Sequence, residues 1–303
     1  MSQVEFTVIV PVYKSVDTLA PLFAGIRDVM DDMKRTFEVV FVEDSGADES
    51  WKELLRLKAE FPEAITIIRL SRNFGQNGAT LCGIDQANGR KIITIDDDLQ
   101  TPPEEIRKLI LFQEESDADV VYGKYPESKT SWIRKVGGNM MKRLFRKNDG
   151  GSIGSSFRLI DNHIVQRLRF HAQDHLFINQ VISWYTLNAQ FVEIEHAPRT
   201  DGKSGYSLFK LIGLSIRLIL YYTSIPLKII IALCLIAAFG IIGMTIYYIH
   251  YQLDAGNSID LFMITVLVSM ALISGSISVF GVYINRIYAA RVKKPNYAIK
   301  VKM

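Results

Sequence analysis

The sequence predicts an α/β protein in which a mostly parallel, doubly wound sheet is followed by two membrane helices. Short apolar segments rich in Val and Ile alternate with longer amphipathic segments through the first part of the chain, which is typical of strands that alternate with helices. Polar residues directly follow most of these apolar segments, and ligands of such sheets collect at the carboxyl ends of the strands. Charged residues nearly vanish after Pro226, where two long apolar segments occur.

Five strands are predicted in chain order, each a short apolar run of the kind that helices cover on both faces. The runs are FTVIVPV, FEVVFVE, ITIIRL, KIITID and ADVVYG. Helices are predicted at about residues 16–35 and 49–60, within SRNFGQNGATLCGIDQANG where a loop leads into a helix, and from Pro102 and Pro103, since proline is tolerated in the first turn. No G-x-G-x-x-G follows the first strand and no Walker lysine motif occurs, which disfavours a dinucleotide oxidoreductase and a P-loop ATPase.

Two uncharged apolar segments, at about residues 229–249 and 261–284, are each slightly longer than the roughly 20 residues that a helix needs to cross a bilayer. A pair of buried core helices is the alternative, which their length without charge disfavours. The connection between the segments has two acidic and no basic residues, whereas six Lys and Arg and no acidic residue follow the second segment. Because positive flanks tend to stay in the cytoplasm, we expect a multi-pass protein of the inner (cell) membrane whose soluble part is cytoplasmic.

The chain is therefore predicted to have four regions. They are a cytoplasmic domain at 1–200, a mobile loop and interfacial amphipathic helix at 201–226, two transmembrane helices at 227–288 and a basic cytoplasmic tail at 289–303. The amphipathic helix could instead belong to the core of the domain. The tail could be a nucleic-acid arm, but a basic run beside a membrane helix more often meets anionic headgroups, so no nucleic-acid partner is expected. Cys82 and Cys234 lie in different regions and are not expected to pair, which fits a reducing compartment.

The stretch IDDDLQTPPEE, from Ile95 to Glu105, places three carboxylates side by side at the end of the fourth strand. On an extended segment Asp96 and Asp98 point the same way, with Gln100 two residues further on, while Asp97 points away. Carboxylate and amide oxygens suit a hard divalent cation, so Mg²⁺ or Mn²⁺ is predicted at Asp96, Asp98 and Gln100. The alternative is an acidic start to the following helix, a role that the nearby glutamates already fill.

Seven stretches in order resemble the family 2 glycosyltransferases, and more narrowly the polyprenyl-phosphate group that contains dolichol-phosphate mannose synthase and its bacterial undecaprenyl-phosphate relatives. They are VIVPVYK, VVFVEDSGADES, LSRNFGQNGA, IDDDLQTPPE, VVYGKY, SSFRLID and RTDGKSGYS, and with the C-terminal apolar segments they cover nearly the whole chain. The resemblance implies a Rossmann-like glycosyltransferase A fold and inverting transfer of a sugar from a nucleotide sugar to polyprenyl (undecaprenyl) phosphate. It also implies a homotetramer, and a UDP-sugar is favoured over a GDP-sugar as donor.

At matching positions the resemblance also implies residue roles. Nucleotide binding is expected of Pro11, Tyr13, Glu43, Asp44, Gln76, Asp96, Asp97 and Lys203. Catalytic roles are expected of Asp96, Asp98, Lys124, Arg134 and Arg158, and metal binding of Asp96, Asp98 and Gln100. Two departures leave the donor and the acceptor geometry open: DSG replaces the commoner D-G-S after the second strand, and Gly205 stands where the family usually has Lys.

The implied reaction needs positive charge more than it needs a base. A phosphate monoester has a second pKa of about 6, so the acceptor is mostly a dianion at neutral pH and is already nucleophilic. A cationic clamp for two anionic groups is required instead, and the candidates are Lys124, Arg134, Lys135, Arg158 and Lys203.

Two other functions stay open at this point. One is a membrane glycosyltransferase that extends a glycolipid or polysaccharide, although the Q-x-x-R-W motif of such synthases does not occur. The other is a catalytically silent scaffold of a glycan export system, which the intact D-x-D disfavours.

Overall fold

The computed structural model describes residues 4–124, 154–170, 178–195, 225–251, 258–291 and 295–303. The chain forms two compact units, one of Met1–Lys203 together with Lys293–Met303 and the other of Ser204–Val292. The first unit contains an eight-stranded sheet, and the second contains two long apolar helices.

The sheet has the strand order β7-β5-β6-β4-β1-β2-β3-β8 within the described residues. The strands are β1 (Phe6–Val12), β2 (Phe37–Glu43), β3 (Ile65–Leu70), β4 (Lys91–Thr94), β5 (Val120–Lys124), β6 (Arg158–Ile160), β7 (Ala189–Glu193) and β8 (Ile299–Lys302). Strands β1 to β4 pair in parallel with one another, as do β5 and β7, while β6 runs antiparallel to β4 and β5. The predicted α/β fold with a mostly parallel sheet is confirmed, and the five predicted strands correspond to β1 to β5.

Helices lie between the strands and after them. They are α1 (Val16–Asp32), α2 (Ser50–Glu60), α3 (Gln76–Gln86), α4 (Glu105–Ser116), α5 (Asn162–Phe170), α6 (Ile178–Tyr185), α7 (Ile225–Tyr251) and α8 (Ser258–Arg291).

Hydrophobic cores lie on both faces of the sheet, and successive residues of β1 enter different ones. Val8 and Val10 pack with residues of α1, α2 and α4, whereas Ile9 packs with residues of α3, α5 and α6. Complete burial of a side chain of this size contributes roughly 1.5–3 kcal/mol. Because both faces are covered in this way, the polar residues of the central strands are confined to the strand ends, where a ligand can reach them.

Strand β8 was not predicted, because its four residues were included in the basic tail at 289–303. It pairs antiparallel with β3 at the edge of the sheet. The sequence IKVK alternates apolar and charged residues with the period of a strand, and lysines are common on edge strands because they discourage further pairing. This short alternation was the signal that could have identified the strand.

The second unit consists of α7 and α8, which pack against each other, with Cys234 Sγ 3.3 Å from Ser276 Oγ. Many of their apolar side chains are exposed, including Phe239 at 71% and Ile277 at 67%. Within the described residues, one helix is long and apolar enough to cross a membrane, through Val268–Asn285 of α8, and α7 has a shorter apolar stretch at Ile230–Gly243. The predicted pair of transmembrane helices is thus supported for one helix by length and composition, and stays a prediction for the other.

Candidate active site

A cleft of about 370 Å³ opens at the carboxyl ends of β1, β2 and β4, beside the start of α3. It brings together most of the residues that the sequence analysis associated with nucleotide and metal: Pro11, Tyr13, Asp44, Gln76, Asp96, Asp97 and Asp98. These residues come from four separate stretches of the chain. They converge because the carboxyl ends of neighbouring parallel strands meet at one edge of a sheet.

Two of the three adjacent aspartates, Asp97 and Asp98, lie in a turn, and Asp96 directly precedes it. Strand β4 ends at Thr94, Asp97 and Asp98 form the turn, and Leu99 has φ of +56°. A positive φ is uncommon for a residue with a branched side chain, so the turn is tightly specified by its surroundings. The strand alternation used to orient Asp96 and Asp98 in the sequence analysis does not extend past Thr94, so the hydrogen bonds of each aspartate define its orientation here.

Asp96 is held by two side chains on opposite sides of its carboxylate. Gln76 Nε2 donates to Oδ1 at 2.5 Å, and Ser156 Oγ donates to Oδ2 at 2.7 Å. Burial raises the pKa of the Asp96 carboxyl, and the charge of Asp98 raises it further, whereas the Ser156 hydrogen bond and the charge of Arg158 oppose the rise.

Asp97 is turned towards the loop between β1 and α1. Its Oδ2 accepts hydrogen bonds from Tyr13 N at 2.8 Å and from Ser15 Oγ, and its backbone oxygen accepts one from Thr18 Oγ1. Burial raises the pKa of Asp97, and the hydrogen bonds from Ser15 and Tyr13 lower it. Asp97 therefore joins the aspartate turn to the loop that carries Tyr13, whose ring is 48% exposed at the cleft.

Asp98 and Gln100 contact each other directly. Gln100 N donates to Asp98 Oδ1 at 3.1 Å, and the Gln100 side-chain amide donates to Oδ2. The predicted metal ligands Asp96, Asp98 and Gln100 are thus close together, and two carboxylates with an amide are a suitable donor set for a hard cation. Among the described residues, no group of three or more His, Cys, Asp and Glu side chains is placed to hold a metal ion.

Asp44 connects the end of β2 to the start of α3. Its two oxygens accept hydrogen bonds from the backbone nitrogens of Phe74 and Gly75, both at 2.7 Å. Gly75 has φ of +82°, in the left-handed region that favours glycine. Burial raises the pKa of Asp44, and the two backbone hydrogen bonds oppose that rise. Each carboxylate oxygen can accept a second bond, so Asp44 stays available to a ligand in the cleft.

Glu43, which the resemblance assigned to nucleotide binding, does not line the cleft. Its side chain is buried, Gly46 N donates to Oε1 at 2.6 Å, and Arg69 Nε lies 2.9 Å from Oε2. In this structure Glu43 therefore supports the turn after β2, and its predicted role in nucleotide binding stays a prediction.

A second cavity of about 310 Å³ adjoins the cleft, since Gln76 lines both. Its charged residue is Arg158, which is 5% exposed and whose guanidinium contacts the neutral Asn179 and Tyr122. Asn179 in turn donates to the backbone oxygen of Gly154 at 2.8 Å. Burial lowers the pKa of Arg158, and within the described part of the chain its Nε has no hydrogen-bond partner.

Of the other basic side chains predicted to bind anionic groups, the structure describes only Lys124. Lys124 ends β5 with its side chain 55% exposed and Nζ 4.0 Å from Glu193 Oε1, and it lines neither cavity. Arg134, Lys135 and Lys203 lie outside the described residues.

Three residues of the site were missed by sequence reasoning. Ser156 lies inside the stretch SSFRLID, so the resemblance was a usable signal for it. Ser15 follows the first strand within two residues of Tyr13 and could have been considered for the same reason. Asn179 had no signal, because it reaches Arg158 only when α6 folds back beside β6.

The mostly parallel sheet, with a cleft at the carboxyl ends of its central strands, is the architecture of an α/β enzyme. The chain belongs to Glycosyl transferase family 2, whose family model matches residues 7–171, more than half of the chain. It is 29% identical over 314 residues to the undecaprenyl-phosphate 4-deoxy-4-formamido-L-arabinose transferase of Serratia proteamaculans. This alignment covers 99% of this chain and 95% of that protein. The predicted resemblance and the predicted enzyme class, a glycosyltransferase, are confirmed.

Two solved structures share the fold at low sequence identity. One is glucosyl-3-phosphoglycerate synthase from Mycobacterium tuberculosis in complex with Mn²⁺, UDP and phosphoglyceric acid, with a TM-score of 0.50 and 14% identity, covering 71% of this chain and 76% of that chain. The other is a mycobacterial protein with a TM-score of 0.51 and 14% identity, covering 71% of this chain and 72% of that chain.

Proposed function

We propose that this glycosyltransferase moves a sugar from a nucleotide sugar, with a UDP-sugar favoured, onto polyprenyl (undecaprenyl) phosphate with inversion at the anomeric carbon. The observation that carries the proposal is the acidic cleft, where four aspartates converge beside Tyr13. Similarity over nearly the whole chain to a transferase named for undecaprenyl phosphate supports the acceptor. UDP and Mn²⁺ are the ligands named for a synthase of similar fold, and we extend a uridine nucleotide and Mg²⁺ or Mn²⁺ to this chain.

The charge of the cleft argues for a divalent cation. Its lining includes Asp44, Asp96, Asp97 and Asp98, and no Lys or Arg among the described residues. A nucleoside diphosphate would bring further negative charge, and each like-charge pair at 4 Å costs about 4 kcal/mol at an effective dielectric constant near 20. A cation between the diphosphate and the aspartates converts this repulsion into attraction.

Asp96, Asp98 and Gln100 would hold the cation. When bound, the cation supplies positive charge to the diphosphate as it leaves. Asp96 can accept the cation while keeping Gln76 and Ser156, because its oxygens have unused lone pairs. Gln100 must turn its amide, since its nitrogen faces Asp98 in this structure.

The second cavity is the proposed site of the acceptor phosphate. A buried guanidinium that contacts only neutral groups is costly unless an anion completes it, and a phosphate dianion would do so. An acceptor oxygen attacks the anomeric carbon as the bond from that carbon to the nucleoside diphosphate breaks, and attack from the opposite face inverts the centre. The phosphate is already ionised at neutral pH, so no residue needs to remove a proton. Arg134, Lys124 and Lys203 remain proposed further cations.

We also propose that the chain acts at the cytoplasmic face of the inner membrane, with residues 227–288 crossing it twice and 201–226 at the interface. Strand β8 follows α8, yet it belongs to the same sheet as β1 to β7. We infer that the parts of the chain before α7 and after α8 lie on one side of a membrane, which requires an even number of crossings. If α8 crosses, as Val268–Asn285 permits, a second crossing is needed, and we assign it to α7. A homotetramer is retained as part of the proposal on the resemblance alone.

The proposed function is tested by offering UDP- and GDP-sugars, each radiolabelled in the sugar, to the full chain with undecaprenyl phosphate. Label that enters the organic phase from one donor, in Mg²⁺ or Mn²⁺ but not in EDTA, is the expected result and names the sugar. Label that enters a polysaccharide fraction, or no transfer despite nucleotide binding, would contradict the proposed acceptor.

A further inference from the structure

The last eight residues of the chain, 296–303, lie across the edge of the sheet and the outer side of α3, and we call them the C-terminal strap. Backbone hydrogen bonds join its two ends to β3 and the residue after it, from Ser71 N to Ala298 O at 2.8 Å and from Met303 N to Ile67 O at 3.0 Å. None of the strap residues lines the cleft.

Two side chains of the strap form hydrogen bonds with the last residues of α3. Tyr297 Oη donates to Asp85 Oδ2 at 2.9 Å, and Lys302 Nζ donates to Gln86 Oε1 at 2.7 Å. The Tyr297 ring packs against hydrophobic residues on the same face of the sheet, Cys82 among them.

The strap backbone also touches the beginning of α3. A Cβ on Gly78 would lie 2.5 Å from the carbonyl oxygen of Asn296, so only glycine permits this approach. The strap therefore contacts α3 near both ends. Cys82, between these contacts, is completely buried, and burial raises the pKa of its thiol to about 12.

The first turn of α3 belongs to the cleft on its other side. Gln76 donates to Asp96, and Gly75 donates to Asp44. A shift of α3 by a fraction of an ångström would change both hydrogen bonds, because hydrogen bonds weaken steeply as they lengthen and bend.

We propose that the C-terminal strap is a positioning element for the nucleotide: it holds α3 where Gln76 and Gly75 can orient Asp96 and Asp44. The nucleotide part of this inference rests on the proposed function. The strap, which follows α8 in the chain, would thereby influence nucleotide binding in the cleft without lining the cleft itself.

The competing explanation is that the strap is a basic tail that only contacts lipid headgroups. A variant of Lys300 distinguishes this explanation from our proposal. Its side chain is exposed on β8, so Lys300→Ala removes a positive charge without removing Tyr297 or the strand pairing. Under our proposal Lys300→Ala behaves like the parent protein. Under the headgroup explanation Lys300→Ala weakens activity on anionic vesicles, and Tyr297→Ala does not.

The docking of the strap is measured by maleimide labelling of Cys82 in the full chain, with Cys234→Ser removing the other thiol. We expect slow labelling in the parent and in Lys300→Ala, and labelling about three- to thirtyfold faster in Tyr297→Ala and in a chain ending at residue 295. Equal rates in all four proteins would show that the strap does not cover α3.

Coupling to the nucleotide is measured in the same proteins by UDP titration in Mn²⁺, well below their melting temperatures. Loss of the strap should weaken UDP affinity roughly three- to thirtyfold, and by linkage UDP with Mn²⁺ should slow Cys82 labelling in the parent. A lower melting temperature with unchanged UDP affinity would reduce the strap to a stabilising role and overturn the proposal.

These outcomes separate the inference from the proposed function. If the parent binds neither UDP nor GDP with Mn²⁺, the proposed donor fails and the coupling fails with it, while labelling of Cys82 still reports whether the strap is docked. If the parent binds UDP and the strap variants bind it equally well, the proposed function stands and the positioning role is wrong.

Discussion

The two adjoining cavities have similar volumes, about 370 and 310 Å³, and opposite charge. Four aspartates line the cleft at the ends of β1, β2 and β4, whereas a single buried arginine and neutral polar groups line the other cavity. Gln76 lies between them and is hydrogen-bonded to Asp96 on the acidic side.

Under the proposed function, this separation would let one site accept two anions. If Arg158 formed a direct ion pair with Asp96, each would neutralise the other and neither would attract a ligand. Instead Arg158 contacts Asn179 and Tyr122, and its charge reaches Asp96 only through space. On our proposal, the acidic side would take a diphosphate with a cation, and the basic side would take a phosphate directly.

The largest effect is expected at Asp98, which lines the acidic cleft and is a proposed cation ligand. Asp98→Asn keeps the size of the side chain and the contact with Gln100 but removes the charge that holds a cation. We expect kcat for sugar transfer to fall by about 10³ or more, measured at saturating Mn²⁺. Glu104→Gln, an exposed acid six residues further on, is the control and should retain activity. Normal turnover by Asp98→Asn would rule out the proposed role of the cation.

A somewhat smaller and selective effect is expected at Arg158. Arg158→Met preserves the volume of the side chain and removes the charge, so KM for polyprenyl phosphate should rise by about thirtyfold or more, with UDP affinity within about twofold of the parent. Arg56→Met, on the exposed face of α2, is the control for loss of one positive charge. If Arg158→Met loses UDP affinity instead, Arg158 acts through Asp96 and the second cavity is not the acceptor site.

A moderate effect is expected at Asp97, which binds the loop of Tyr13 and not the cation. Asp97→Ala removes the acceptor for Tyr13 N and Ser15 Oγ, so KM for the nucleotide sugar should rise by about tenfold, the equivalent of one charge-assisted hydrogen bond. Asp97→Asn keeps an acceptor oxygen and should lose less. The Mn²⁺ concentration for half activity should stay unchanged in both, and a large increase would mean that Asp97 is itself a cation ligand.

The smallest effect is expected at an exposed charge cluster outside both cavities. His163 lies between Asp161 and Asp119, and the hydrogen bond to Asp161, followed by the charge of Asp119, raises its pKa. A raised pKa means that this contribution to stability is complete below the unfolded pKa of about 6.5 and is lost as pH rises through the folded pKa. Since the side chain is 55% exposed, the contribution should be at most about 0.5 kcal/mol.

Melting temperatures of the parent and His163→Gln between pH 5 and pH 9 check this expectation. The parent should be slightly more stable at pH 5, and the two should converge at pH 9. A difference that grows with pH would contradict the sign of the pKa shift.

The part of the fold that sequence could predict is the part with local signals. The strands β1 to β5 are apolar runs with polar ends, and the position of Tyr13, Asp44 and the aspartate turn at one edge follows from parallel pairing. Strand β8 was missed because four residues with two lysines carry little apolar signal on their own.

The site was predictable in its residues but not in their orientation. Asp96 and Asp98 were identified together, yet the alternation argument failed because the strand ends at Thr94. Glu43 and Asp44 were assigned the same role, although only Asp44 lines the cleft and Glu43 contacts Gly46 and Arg69. The contact of Arg158 with Asn179 depends on how α6 packs, which no short stretch of sequence encodes.

The central claim is that the acidic cleft binds a nucleoside diphosphate only through a divalent cation. Isothermal titration of UDP into the full chain, in Mn²⁺ and then in EDTA, tests it most directly. The account predicts binding in Mn²⁺ and affinity at least about a hundredfold weaker in EDTA, because about 4 kcal/mol of repulsion between each close pair of negative charges is then uncompensated. Equal affinity in the two buffers would contradict it.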